Sequence, residues 1–368
     1  MKIRGVNLGN WLVLEKWMSR ELFRGLDARD EEEFYEELSY EEAEQRLYMH
    51  RSYFIQERDF QHIRAMGLNM VRIPVPHYIF GDQAKYPGCI EFLDRAFDWA
   101  EKYGLKILID LHTVPDSQNG FDNGGLTGIV KWHHKKENID YTLSVIERLA
   151  ERYAGRRGLY GIELLNEPVS EQILSFVGKR YPAKDPERAK GSTAVPTEVL
   201  KDFYLRGYEA VRRHCGPETT VVIHDGFRLE EWEDFMPRED YPGLVIDTHM
   251  YLFTVESMMQ DRRLPSYQAA ILKGFRERLE RAEQFHPVIV GEWCVANKCE
   301  EKETAVAPAD IYRTIGEWET EAWEACSGWF FWSYKLHEPG RNDWDYERAL
   351  DSGYLRSPKQ EDERRDRF

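Results

Sequence analysis

Cysteine is scarce in this 368-residue sequence, which contains five: Cys89, Cys215, Cys294, Cys299 and Cys326. An odd, sparse set does not suit a disulfide framework and is more typical of a reducing compartment. Cys294 and Cys299 could form a metal or redox pair, but no second pair stands at the spacing of a zinc site. We therefore expect neither a disulfide scaffold nor a metal centre.

Long apolar runs and an excess of positive charge are also missing. No segment approaches the roughly 20 apolar residues that cross a bilayer, and the N-terminal residues lack the apolar run of roughly 7 to 15 residues of a signal peptide. Lys and Arg number 50 against 66 Asp and Glu, so the formal charge is −16, which would repel nucleic acid and anionic lipid. These absences predict a cytoplasmic protein with neither nucleic acid nor membrane as partner, and they leave the oligomeric state open.

Eight short apolar runs, separated by amphipathic stretches, recur along the chain. They cover residues 3–8, 69–73, 105–111, 160–165, 219–224, 244–249, 287–290 and 328–334. Helices are predicted at 92–103, 141–153, 197–214, 267–285 and 309–325, where apolar residues recur at three-to-four spacing. Several of the eight runs are almost continuously apolar, as in parallel strands covered on both faces, and no Pro/Gly/Ser-rich linker divides the chain. The pattern predicts the α/β class, with one (β/α)8 barrel, known as the TIM barrel, over residues 1–368.

Two connections exceed the roughly 2 to 6 residues of ordinary strand-to-helix loops: residues 112–136 after the third strand and 169–196 after the fourth. Barrel enzymes carry their chemistry on loops at the C-terminal ends of the strands, so we expect both loops to border the site. The acidic stretch 27–44 is expected to be a solvated helix. The adjacent His133 and His134 would point to opposite faces of a strand, and we assign them no metal.

Two glutamates stand at the ends of predicted strands, Glu167 after the fourth and Glu292 on the seventh. Glycoside hydrolysis needs such a carboxyl pair, one protonated to assist the leaving oxygen and the other ionised, so the site must push the two pKa values apart. Arg72, near the end of the second strand, could keep one carboxylate ionised. We interpret Glu163 as a buried, paired residue of the barrel interior and not as a third acid.

In combination, eight motifs of this sequence resemble glycoside hydrolase family 5, and most of all its exo-β-1,3-glucanase and β-glucosidase-like branch. They are GVNLG at 5–9, VRIP at 71–74, DLH at 110–112, SQNGFDN at 117–123, LNEP at 165–168, HMY at 249–251, GEW at 291–293 and FWS at 331–333. The resemblance runs in order along nearly the whole chain. It implies a TIM barrel that needs no cofactor.

For the catalytic pair, the resemblance implies a retaining double displacement with Glu167 as acid/base and Glu292 as nucleophile. Asn166 would hold the sugar 2-hydroxyl, and Arg72 and Tyr251 would hydrogen-bond the nucleophile.

Six further residues would line the sugar site or its entrance by the same resemblance. His249 would lie near the acid, His112 and Glu15 would contact sugar hydroxyls, and Trp332 would form the platform beneath the ring. Phe121, together with Asp122, matches the loop that lines the entrance. Trp11, Trp17, Trp132, Trp293 and Trp344 surround these motifs, and the sequence does not choose among them.

We therefore expect a retaining β-glycosidase, exo-acting on β-1,3-linked gluco-oligosaccharides or β-glucosides. One alternative is an endo-acting β-glucanase or β-mannanase of the same fold, and another is a catalytically silent carbohydrate-binding barrel. The segment TVPD at 113–116 departs from the branch pattern, and the insertion 169–196 has no match in it. That insertion carries Arg180, Lys184, Arg188 and Lys190, and it would either wall off a pocket or recognise a particular leaving group.

Overall fold

Eight parallel strands close into a barrel in chain order in the computed structural model, which describes residues 2–360. The strands are β1 (Ile3–Asn7), β2 (Met70–Val75), β3 (Lys106–Leu111), β4 (Leu159–Glu163), β5 (Thr220–His224), β6 (Leu244–His249), β7 (Val288–Trp293) and β8 (Gly328–Phe331). β1 pairs with β8 and closes the barrel. The predicted (β/α)8 fold is confirmed, and each of the eight predicted strands is present. That residues 1–368 form one domain stays a prediction.

Thirteen α-helices lie among the described residues, most of them around the barrel. They are α1 (Glu31–Glu37), α2 (Tyr40–Phe54), α3 (Glu57–Ala65), α4 (Ile90–Tyr103), α5 (Lys136–Tyr153), α6 (Glu171–Arg180), α7 (Pro186–Ala189), α8 (Thr197–Arg212), α9 (Leu252–Glu256), α10 (Leu264–Ala269), α11 (Arg276–Ala282), α12 (Pro308–Trp323) and α13 (Tyr346–Asp351). All five predicted helices are present, and a π-helical segment, Ala270–Phe275, joins α10 to α11. Among the described residues no helix combines the length and apolarity that a membrane span needs.

Helix α4 shows how the sequence produces the layer of helices around the barrel. Phe92, Phe97 and Ala100 are among the buried residues of its apolar face, which recur at helical spacing. The helix ends at Gly104, whose φ of 70° suits glycine and whose amide donates to the carbonyl of Ala100.

The barrel interior is filled by apolar side chains below the site. This cluster contains Ile3, Met70, Leu108, Val222, Val245, Ile289 and Phe330. Gly5 makes room for one of them, because a Cβ at that position would lie 2.5 Å from the Phe330 ring. The larger apolar cluster fills the layer between strands and helices.

The acidic stretch 27–44 is not simply a solvated helix, as we had expected. Within α1, Glu31 and Glu33 are buried. Arg29 forms an ion pair with Glu33, and the side chain of Asp30 caps the helix. Glu32 and Glu36 form ion pairs with basic residues of other segments, Lys85 and Arg188.

Four strands end two or three residues away from the predicted position. β2 and β7 run two and three residues longer, to Val75 and Trp293, whereas β4 and β8 end two and three residues early, at Glu163 and Phe331. The pairing of β7 with both neighbours is irregular near its C-terminal end, so apolar pattern alone does not mark these boundaries.

All five cysteines are free and buried, in agreement with the sequence; the cytoplasmic location stays a prediction.

Candidate active site

Glu167 and Glu292 both lie at the C-terminal end of the barrel, and both are at least nine-tenths buried. Glu292 belongs to β7, whereas Glu167 lies four residues beyond the end of β4. Glu167 has a φ of 47°, in the left-handed region that non-glycine residues rarely adopt. Strand alternation therefore does not set its direction.

The two carboxylates converge on a single imidazole. Nδ1 of His249 lies 2.7 Å from Oε1 of Glu167 and 3.4 Å from Oε2 of Glu292. Because both distances start at one atom, these two oxygen atoms are at most about 6.1 Å apart. A retaining pair has carboxyl groups about 5 to 5.5 Å apart and an inverting pair roughly 6.5 to 9.5 Å, so the geometry favours retention.

Arg72 holds Glu292 from within the barrel. Its side chain is fully buried, with Nη1 3.1 Å from Oε1 of Glu292. Nε and Nη2 form a fork with the carboxylate of Glu163 at 2.8 and 3.1 Å, which confirms Glu163 as a buried, paired residue. Nη2 also donates to Oδ1 of Asn166 at 2.8 Å. One guanidinium thus fixes both Glu292 and the residue before Glu167.

Tyr251 completes the setting of Glu292. Its hydroxyl donates to Oε2 of Glu292 at 2.7 Å, the oxygen that Arg72 does not contact. On the other carboxyl, Nδ2 of Asn123 donates to Oε2 of Glu167 at 3.0 Å. Asn123 belongs to one of the motifs above, but no pattern in the sequence assigns it a role.

Three side chains, His249, Glu167 and Glu292, determine the charge of the site when no substrate is bound. Although burial disfavours its charge, the carboxylates of Glu292, Asp247 and Glu167 raise the pKa of His249 well above its usual value. Burial opposes ionisation of Glu167, but the charge and hydrogen bond of His249 outweigh it and lower the pKa of Glu167. Burial raises the pKa of Glu292, partly offset by His249 and Arg72.

The two pKa values are therefore pushed apart in the free site, but in the opposite sense to the one we expected. The cause is geometric, because the imidazolium of His249 lies closer to Glu167 than to Glu292. The proton that a leaving group would need is held on His249, within hydrogen-bond distance of Glu167.

His112, Asn166 and Trp332 form a second side of the site. Nδ1 of His112 lies 2.5 Å from Oδ2 of Asp110, which fixes the ring, and Nε2 lies 3.4 Å from Nδ2 of Asn166. The rings of His112 and Trp332 stack at 5.7 Å with 12° between their planes. Gln118 links the residues that follow β3 and β4, because its side-chain amide donates to the carbonyls of His112 and Asn166 at 2.9 and 2.7 Å.

Glu15 and Asp122 are two further carboxyl groups at the site. Burial and the charge of Asp122 raise the pKa of Glu15 well above its usual value, against a hydrogen bond from Trp17 at 2.8 Å. Burial also raises the pKa of Asp122, to about 6. Phe121 precedes Asp122 in the loop after β3, and their place at the entrance stays a prediction.

Of the tryptophans that the sequence could not separate, two flank this site. Trp11, Trp132 and Trp293 are completely buried. Trp17 and Trp344 are partly exposed, with ring centroids 5.3 Å apart, and Trp344 also lies 5.4 Å from the ring of Tyr251.

Two groups of described residues bring possible metal ligands within 4.8 Å of one another. They are Glu167, His224 and His249, and Glu163, Asp247 and His249. In the first, Nδ1 of His224 accepts from the amide of Gly226 at 2.9 Å, so its other nitrogen carries the ring proton. In the second, Arg72 already neutralises Glu163. Both groups contain His249 and belong to the cluster of charged side chains already described around it.

His133 and His134 do not lie on a strand, which corrects our expectation. They belong to a 3-10 turn, Trp132–His134. Nε2 of each lies within 2.9 Å of Oγ1 of Thr193, so both bind the insertion 169–196.

Comparison with known proteins decides the family. The cellulase model of glycosyl hydrolase family 5 matches residues 30–337. The chain belongs to glycosyl hydrolase family 5. A probable glucan 1,3-beta-glucosidase A of Emericella nidulans is 33% identical, over 97% of this chain and 90% of the relative. A glucan 1,3-beta-glucosidase of Blumeria graminis is 31% identical, over 97% of this chain and 87% of the relative.

A solved structure supports the family-5 fold. The rutinosidase from Aspergillus niger superposes with a TM-score of 0.78 at 23% identity, covering 96% of this chain and 97% of that one. With the family established, this protein is a glycoside hydrolase and a retaining β-glycosidase.

Proposed function

We propose that this enzyme releases glucose from the non-reducing end of β-1,3-linked gluco-oligosaccharides or of β-glucosides, with Glu292 as nucleophile and Glu167 as acid/base. The observation that carries the proposal is the pair of carboxylates held by one imidazole, of which Glu292 is the one that Arg72 and Tyr251 contact. The names of the curated relatives support the linkage.

In the first step, an oxygen of Glu292 attacks the anomeric carbon and the bond to the leaving oxygen breaks. Nδ1 of His249 first passes its proton to Glu167 across their 2.7 Å contact. Glu167 then donates this proton to the leaving oxygen and is left ionised. Arg72 and Tyr251 keep the attacking carboxylate oriented. The product of this step is a glucosyl ester of Glu292, with inverted configuration.

In the second step, a water molecule takes the place of the leaving group. Glu167, now ionised, accepts its proton, the water oxygen attacks the anomeric carbon and the ester bond to Glu292 breaks. Two inversions give net retention. Asn166, fixed by Arg72, is placed to hold the 2-hydroxyl, a contact that strengthens as positive charge develops on the ring.

Exo action is supported by the acidic groups, one of them buried, around the glucose position. Glu15 and Trp17 come from the loop after β1, and Asp122 from the loop after β3. Glu15 is 5% exposed and lies close enough to Asp122, Glu292 and Glu167 for their charges to raise its pKa. Such enclosure suits a chain end better than the middle of a chain.

The test is a time course of products from laminaripentaose. The proposal predicts glucose and laminaritetraose as the first products. A spread of shorter oligosaccharides from the first minute would show endo action, and binding without hydrolysis across a panel of β-glucosides would show a silent barrel. Either result would contradict the proposal.

A further inference from the structure

The insertion 169–196 is fastened along both edges to the loop that follows β3. At its start, the amide of Val169 donates to the carbonyl of Gln118 at 3.2 Å, and near its end the amide of Thr193 donates to the carbonyl of Val130, also at 3.2 Å. Between them, Gly128 approaches so closely that a Cβ there would lie 2.4 Å from the amide nitrogen of Ala183. The insertion and the loop after β3 form one wall.

Two of the basic residues in the insertion are already paired with α1. Nη1 and Nη2 of Arg188 each lie 3.0 Å from a carboxylate oxygen, of Glu36 and Glu32 respectively. Nζ of Lys184 lies 3.2 Å from Oε1 of Glu37. The acidic residues of α1 thus have basic partners in the insertion. Because Lys184 and Arg188 already hold the insertion against α1, we do not assign them to the binding of a leaving group.

On the side of the active site, the wall carries aromatic rings. The ring of Tyr181 lies 5.3 Å from that of Phe121, and the half-exposed Phe176 lies 6.4 Å from Tyr181. Phe121 is followed within two residues by Asn123, which donates to Glu167. Burial and the charges of Asp122 and Glu167 raise the pKa of the Tyr181 hydroxyl. The three rings thus extend outward from the acid/base.

We propose that Tyr181 and Phe176 form an outer part of the leaving-group site, which selects neutral leaving groups with a flat aromatic face. The inference rests on the proposed function, because the leaving group must lie on the side of the residue that protonates it. Rings that line this side can stack on a flat apolar group. The carboxylate of Glu167, and that of Asp122 above its pKa of about 6, disfavour an anionic leaving group.

The test compares benzyl β-glucoside with cyclohexylmethyl β-glucoside, whose leaving alcohols are similar in size and acidity but differ in flatness. We expect wild-type kcat/KM to favour the benzyl substrate by about three- to tenfold. Tyr181→Ala should reduce this preference at least about twofold, whereas Tyr181→Phe, which keeps the ring, should retain it. Phe176→Ala tests the same wall at an exposed position where loss of folding is not expected.

Tyr53→Ala is the matched control, because Tyr53 is an exposed tyrosine on α2, and it should leave the preference unchanged. An unchanged preference in both Tyr181→Ala and Phe176→Ala, with the wild type active on both substrates, would overturn this inference and leave the proposed function standing. A wild type inactive on every β-glucoside would overturn both.

Discussion

At the scale of the residue, His249 links the two carboxyl groups into one titrating unit. Its Nδ1 contacts both glutamates, and its Nε2 lies 3.6 Å from Oδ2 of Asp247. The proton of the free enzyme therefore belongs to the cluster, with His249 as its main holder. Two predictions at this scale separate the role of Glu167 from that of His249.

Glu167→Ala should lose activity according to the leaving group. With benzyl β-glucoside we expect kcat/KM to fall by at least about 10²-fold, the usual contribution of a general acid. Dinitrophenyl β-glucoside should lose far less in its glycosylation step, because its leaving group needs no proton. Pre-steady-state rates on both substrates would check this, with the exposed Glu277→Ala on α11 as control. Equal losses on both substrates would contradict the acid assignment.

His249→Asn should change the pH dependence of kcat/KM for benzyl β-glucoside. In the wild type, the proton that the leaving group needs is held by His249, whose pKa is raised well above its usual value. Without the imidazolium, Glu167 must hold that proton alone. Its pKa then loses the lowering caused by His249, but a carboxyl group remains a weaker base than an imidazole whose pKa is raised. The basic limb of the profile should therefore move to lower pH. A basic limb that stays in place would show that His249 does not supply the proton.

At the scale of the element, the loops after β3 and β4 act as one structure. Gly128 lies at their contact, with a φ of 76° and no space for a Cβ. Gly155, at the end of α5, has a similar φ of 78° but nothing within 4 Å of a Cβ. Substitution of the two glycines by alanine therefore separates the cost of backbone strain, which both share, from the cost of a steric clash, which only Gly128 has.

Gly155→Ala should cost roughly 1 to 2 kcal/mol, the price of the left-handed backbone alone. Gly128→Ala should lower the free energy of unfolding by a further 1 to 3 kcal/mol or so, because the added methyl group displaces the insertion. It should also make residues 169–196 more sensitive to limited proteolysis. Thermal melts and proteolysis of both variants check this, and equal behaviour of the two would refute the close contact.

Helix α1 carries a second prediction at this scale. Burial raises the pKa of Glu31 to about 7, partly offset by the Tyr78 hydroxyl and Arg51. Because the folded pKa lies above the unfolded one, folding favours the protonated form, so stability falls as pH rises from about 4.3 to about 7. Glu31→Gln should therefore raise the free energy of unfolding by up to about 3 kcal/mol at pH 8, and change it little at pH 4. The exposed Glu41→Gln is the control, and an equal effect at both pH values would contradict the burial.

The site and the fold differ in how far the sequence predicts them. The strands follow from apolar runs, and the barrel order places the ends of β4 and β7 at one rim, so Glu167 and Glu292 could be brought together without coordinates. The left-handed backbone of Glu167 could not be predicted, because its φ is imposed by the loop after β4 and not by residue type. The roles of Asn123 and Gln118 depend on contacts between separate loops, which no local pattern carries.

At the scale of the whole molecule, the closed barrel brings together groups that are far apart in sequence. Arg72 on β2 contacts Glu163 on β4 and Glu292 on β7, and Asn7 on β1 donates to the carbonyl of Gly291 beside Glu292. The nucleophile is thus fixed by side chains from three other strands. This arrangement allows Glu292 to take part in both chemical steps, first as the attacking group and then as the leaving group.

The most direct measurement of that claim is the reaction of Glu292→Ala with an activated β-glucoside, followed by NMR of the anomeric proton with and without sodium azide. Without azide, activity should fall below about 1% of wild type, because the first bond cannot form. With azide, turnover should return and give the α-glucosyl azide, since azide enters from the face that Glu292 occupies. Residual activity above a few per cent, or a β-glucosyl azide as the product, would contradict Glu292 as the nucleophile.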